Sequence, residues 1–202
     1  MEHVTAARPH GAALASHGPV ADICRSIKDG AVASLFAATT FAIGQTIAAA
    51  AAAEAPIVTF RRFASVLIGP DALATTPAPS AILVGLAGHL CLSAMYGVYY
   101  GAYCSMLSLP TRSSFRWQAT IGALYGALLW FINVELVARC RYPWLAELSG
   151  VGQLALHAVC FGTALGLRYA AEQRLDHAVA YAAPLPIAMA RPRSPRARLA
   201  AP

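Results

Sequence analysis

The sequence predicts an all-α integral membrane protein: a four-helix bundle with an interfacial amphipathic segment in its first outer loop. Three observations carry that reading. The first is a set of four long stretches without a charged residue. They lie between Asp29 and Glu54, between Asp71 and Arg112, between Arg116 and Glu135, and between Glu147 and Arg168. A spanning helix needs about 20 mostly apolar residues, because the hydrocarbon core is about 30 Å thick and a helix rises about 1.5 Å per residue. The second is composition: 58% of the 202 residues are hydrophobic and 12% are charged. That charged share is about half that of a soluble domain, which excludes an ordinary soluble fold that keeps one face of every helix wet.

The third observation is where the basic residues fall. Arg8, Arg25 and Lys28 precede the first stretch, Arg112 and Arg116 lie between the second and third, and Arg168, Arg174, Arg191, Arg193, Arg196 and Arg198 follow the fourth. The other side holds Arg61, Arg62, Arg139 and Arg141, so the division is 11 against 4. The positive-inside rule then puts both termini in the cytoplasm. The net charge of +6 is read as a topology signal, and no nucleic-acid module accompanies it.

In chain order, residues 1–29 read as a flexible cytoplasmic arm with a short surface helix near 21–28. No short apolar run precedes a small-residue cleavage site there, so the first span is expected to act as its own insertion signal. A membrane domain over 30–180 follows. Its first span, about 30–53, is rich in alanine and has Gln45 as its polar exception. In the next loop Ile57, Phe60, Phe63, Ala64, Val66 and Leu67 recur at helical spacing, while Arg61 and Arg62 take the other face. That is an amphipathic segment for the outer interface, ended by Gly69-Pro70. Pro77 and Pro79 lead into the second span, about 81–107.

A basic loop at 110–116 precedes the third span, about 117–138. The second outer loop, 139–147, carries Pro143-Trp144, aromatic and suited to the headgroup region. The fourth span, about 148–169, continues as a cytoplasmic helix to about 180, where Glu172, Arg174 and Asp176 keep a helical pattern. Residues 181–202 are proline- and arginine-rich and read as a disordered tail drawn weakly to anionic lipid.

Small residues recur every four positions: Ser93, Gly97 and Gly101, then Gly122 and Gly126, then Gly162 and Gly166. Such rows let helix backbones approach closely, a main source of association in lipid. A weak internal repeat sets Leu86-Ala87-Gly88-His89 over Leu154-Ala155-Leu156-His157, as two copies of a two-helix unit in the same orientation would. Of five cysteines only Cys140 falls on the outer side, so no structural disulfide is expected.

Chemistry points to the polar exceptions within the spans: Gln45, His89, Asn133, Glu135 and His157, with Ser93 on the same face as His89. With both termini inside, Gln45, His89, Asn133, Glu135 and His157 all fall in the outer half of the membrane, which predicts a shared polar cluster there. Glu135 is read as an interfacial carboxylate paired with Arg139, four residues on. Three readings of the histidines stay open: interhelical glue, a proton or small-solute pathway, and haem b or a metal held between His89 and His157. No cofactor is otherwise expected. There is no Walker loop, H-E-x-x-H, G-x-S-x-G or acidic metal cluster, so membrane-enzyme chemistry has no support.

A resemblance rests on several of these residues. The run Phe60-Arg61-Arg62-Phe63-Ala64-Ser65-Val66-Leu67-Ile68-Gly69-Pro70 comes first, followed by His89, Ser93 and Tyr96-Gly97. Gly126, Trp130, Asn133, Pro143-Trp144-Leu145-Ala146, His157, Gly162 and Tyr169 complete it. Over about 30–169 the chain resembles a group of small four-span bacterial inner-membrane proteins with no established activity. The resemblance implies that topology and a recurring histidine pair. Some members carry a sodium:proline symporter label. Symporters of that type build their site from inverted repeats with broken helices, which four spans in a same-orientation repeat do not supply. The expected function is a small transporter or ion-conducting component. The alternative is an accessory or scaffold subunit of a larger complex. Expected partners are the lipid bilayer and either further copies of the chain or other membrane spans.

Overall fold

In lipid a backbone polar group finds no water, so each span must satisfy its own N–H and C=O groups as helix. The computed structural model describes residues 18–145 and 150–182, and among them helix is the one regular secondary structure. In chain order the helices are α1 (Pro19–Ala51), α2 (Ile57–Ile68), α3 (Ala78–Ser105), α4 (Phe115–Arg141) and α5 (Gly150–Asp176, helical on to Ala182). All but α2 are long and apolar enough to cross a membrane. One-turn helices at Pro70–Leu73, Leu109–Arg112 and Pro143–Leu145 occupy the connections. The arm before residue 18, loop residues 146–149 and the tail from 183 lie outside the described residues.

The expected short helix over 21–28 is not separate; it is the beginning of α1. Pro19 takes the first helical turn, where its missing N–H costs nothing. The charges that follow do not stop the helix, because other elements satisfy them. Arg112 donates to Asp22 at 2.9 Å, Gln173 donates to Asp29 at 2.7 Å, and Arg25 lies 3.8 Å from Asp176. At its far end α1 closes with Ala53 at φ +58°, and the Glu54 N–H reaches back to Ala49 O at 2.9 Å.

The amphipathic segment forms as α2 and stops at Gly69, whose φ of +84° favours glycine. Its arginines are held by this chain: Arg62 grips Glu54 through two bonds of 2.8 and 2.7 Å, and Arg61 donates to Ala72 O and Thr76 O. α2 packs tightly on α3, where a Cβ on Gly85 would overlap Phe60 O. Trp144, in the connection between α4 and α5, donates its indole N–H to Ser65 Oγ of α2 at 3.1 Å.

Two close helix pairs make the bundle. In the α1–α3 pair a Cβ on Gly30 would come within 2.8 Å of Gly101 Cα, and one on Gly97 would come within 2.5 Å of Ser34 Cβ. In the α4–α5 pair a Cβ on Gly162 would overlap Gly122 O and come within 2.9 Å of Gly126 Cα. Thr40 of α1 joins the pairs by donating to Cys160 O of α5 at 2.5 Å. Long side chains bridge α3 to α4, described below. Large apolar residues such as Leu35, Ile47, Leu83, Leu124 and Val159 point outward, while alanine, glycine, serine and tyrosine fill much of the interior. This arrangement suits a solvent as apolar as leucine.

Both α4 and α5 carry a π-helical stretch, at Phe131–Ala138 and Leu156–Thr163. Such stretches are frequent at functional positions. Here the first holds Asn133 and Glu135 and the second holds His157.

Candidate functional site

The site grows from one buried phenylalanine. Phe41 of α1 meets the His157 ring edge-on with centroids 4.7 Å apart, and it lies 5.7 Å from the His89 ring. Phe63 of α2 stacks on His89 at 4.3 Å and 10°. Phe161 meets Phe41 at 6.3 Å and Tyr96 at 6.4 Å, both edge-on. Rings from α1, α2, α3 and α5 thus form one continuous cluster in the half of the bundle nearer α2.

Backbone carbonyls fix each imidazole. His89 Nε2 lies 3.0 Å from Ala38 O, and His157 Nδ1 lies 2.8 Å from Gln153 O. A carbonyl oxygen can only accept, so each of these nitrogens carries the proton. The second nitrogen, Nδ1 of His89 and Nε2 of His157, is then an acceptor in the neutral ring.

Toward the α2 end, Gln45 and Gln153 exchange reciprocal amide bonds of 2.7 and 3.2 Å. Toward the other end, Tyr96 donates to Asn133 at 2.7 Å, and Tyr125 donates to Tyr96 O at 2.9 Å. Tyr100 donates to Gln118 at 2.6 Å, and Gln118 also accepts from Cys104 Sγ at 3.6 Å. Tyr100 packs edge-on against Tyr169, which shares a 2.5 Å bond with Ser26; Ser26 also donates to Gly101 O. The Asp29–Gln173 and Arg112–Asp22 pairs complete this end. Hydroxyl, amide and imidazole groups therefore run as a column along the interior. The buried indole N–H of Trp130 on α4 has no protein acceptor.

Of the six residues expected to cluster, His89 and His157 meet on Phe41. Gln45 joins them through Gln153, whose carbonyl also holds His157. Ser93 is buried on α3, and Asn133 belongs to the tyrosine bridge. Glu135 instead pairs with Arg139 at 2.7 Å, as its spacing predicts. The haem alternative would need the rings between the two histidines to move aside. Bis-histidine ligation needs clear space between two imidazoles for the macrocycle. Here Phe41 lies against both rings, and the nitrogen at His89 Nε2 is bonded to Ala38 O. Among the described residues no group of three or more His, Cys, Asp or Glu could hold a metal ion.

Sequence reasoning set Gln153 on the His157 face but overlooked Gln118, Gln173, Phe41 and the interior role of Arg112. Two of them had a readable signal: Gln118 continues the Gly122 and Gly126 row by one step of four, and Gln173 lies on the face of Gly162, Gly166 and Tyr169. Phe41, apolar among apolar residues, had none. Comparison with known protein families, characterised proteins and solved structures finds no match to this chain.

Proposed function

We propose that this multi-pass membrane protein resides in a bacterial inner membrane with both termini cytoplasmic, and works as a small transporter or ion-conducting component. The observation that carries the reading is the series of polar side chains set along the interior, with the paired glutamines and the histidines in one half and the Gln118, Ser26 and Asp29 bonds in the other. Intramembrane ionisable and polar groups are costly, and they mark solute and proton routes. The unpaired indole N–H of Trp130 supports the same reading, since packing alone favours closed hydrogen bonds.

The alternative, an accessory or scaffold subunit, relied on the small-residue rows as docking faces. Those rows are filled within the chain, Gly30 against Gly97 and Gly101, Gly122 and Gly126 against Gly162. A homo-oligomer is the partner state that accompanies the transport reading. The test is purified protein in liposomes with a trapped pH-sensitive dye and an imposed pH gradient. The gradient should collapse faster than in protein-free vesicles, and Gln118→Leu should slow the collapse. Identical decay with and without protein would overturn the proposal.

A further inference from the structure

We infer that the ring cluster around Phe41 is a filter that makes the pathway selective for protons over hydrated ions, with His89 and His157 as the relay. The inference rests on the pathway reading and names what that pathway carries. At this level rings from α1, α2, α3 and α5 contact one another: Phe41, Phe63, His89, His157 and Phe161. A hydrated cation crosses a membrane protein only where water or fixed oxygens replace its shell. The cluster offers no such ring of oxygens, because Ala38 O and Gln153 O are engaged by the imidazoles.

A proton needs far less. Each imidazole presents one acceptor nitrogen and holds its own proton on the other, against a carbonyl. A proton taken up at Nε2 of His157 makes the imidazolium. When the ring turns away from Gln153 O, the imidazolium gives one of its two protons to water on the far side of the cluster and becomes neutral again. One proton enters and one leaves, no electrons move, and rotation of the ring resets it. His89 does the same with its nitrogens exchanged: uptake from water at Nδ1, and release to water after the ring turns from Ala38 O. Rings blocking bulk water while imidazoles pass protons is a division of labour that neither residue type achieves alone.

The test uses the full chain in liposomes under a potassium diffusion potential set with valinomycin, reading a pH dye and radioactive sodium uptake in parallel. Wild type should pass protons and take up sodium no faster than protein-free vesicles. His157→Phe should cut proton flux about tenfold or more, because phenylalanine keeps the ring and removes the nitrogens that carry the proton. Phe41→Ala should admit sodium, as should Phe63→Ala, whose ring is only half-buried and whose loss is easier for the fold to bear. Helical circular dichroism and a single size-exclusion peak qualify each variant. Sodium uptake by wild type would overturn the filter and leave the pathway standing. Unchanged proton flux in both His157→Phe and His89→Phe would overturn the relay alone. Absence of any flux would overturn the pathway and the filter with it.

Discussion

Gln118 shows how one amide can hold a polar seam together inside an apolar bundle. It is fully buried, accepts from Tyr100 at 2.6 Å and from Cys104 at 3.6 Å, and donates to Thr111 O at 3.3 Å. An interhelical hydrogen bond in a membrane is worth only about 0.6 kcal/mol on average. Gln118→Leu does more than delete a bond, since it leaves the buried Tyr100 hydroxyl without its acceptor. The expected loss is about 1–3 kcal/mol, read as a lower unfolding midpoint in detergent. Tyr100→Phe should cost less, because Gln118 keeps Cys104 and Thr111 as partners. Arg139→Ala is the contrast: its side chain is 62% exposed in the pair with Glu135, and the change should fall within about 0.5 kcal/mol. Equal losses at the two sites would show that burial is not what sets the cost. The polarity of Gln45, His89 and Asn133 was legible because a polar letter stands out in an apolar run. Gln153 and Tyr96 were legible as neighbours of the histidines on their own helices, but their pairing with Gln45 and Asn133, and that of His89 with Ala38 O, was not, because tertiary packing makes it.

At the scale of elements, uncharged runs located every span and glycine spacing located the close contacts. Two features escaped. The charges in 22–29 look like solvated chain, yet partners from α5 and from Leu109–Arg112 let α1 run through them. The π-helical stretches of α4 and α5 shift the hydrogen-bond register and leave no compositional mark. One added or removed Cβ tests two elements with opposite signs. In Gly162→Ala the new Cβ overlaps Gly122 O, and the helices must part; overpacking of this kind costs about 1–3 kcal/mol. In Ala53→Gly a Cβ leaves a left-handed position at φ +58°, relieving about 1 kcal/mol at the end of α1. Thermal unfolding in one detergent should place the first variant below wild type and the second above it. A stabilised Gly162→Ala would mean that α4 and α5 have room between them.

For the whole molecule, an even number of spans puts both described ends of the bundle on one side, and the helix directions agree. Ser26 meets Tyr169 at one end, while Gln45 meets Gln153 toward the other. Which side is which is decided by charge outside the hydrocarbon. Arg25, Lys28, Arg112, Arg116 and Arg174 gather at the Ser26 end. The α2 end holds fewer: Arg61, Arg62, Arg139 and Arg141. The positive-inside rule counts Lys and Arg whether or not they are paired, so the proposed orientation has the Ser26 end in the cytoplasm, with the histidine ring cluster toward the outside and the Arg112 network toward the inside. Reporter fusions in the Leu109–Arg112 turn and after Pro202 should read as cytoplasmic, and one at Ala74 as external. Replacing Arg25, Lys28, Arg112 and Arg116 together with serine should weaken that preference and give mixed orientation. A uniformly external signal from the C-terminal fusion on the unmodified chain would invert the molecule, and protons would then meet Arg112 before they meet the rings.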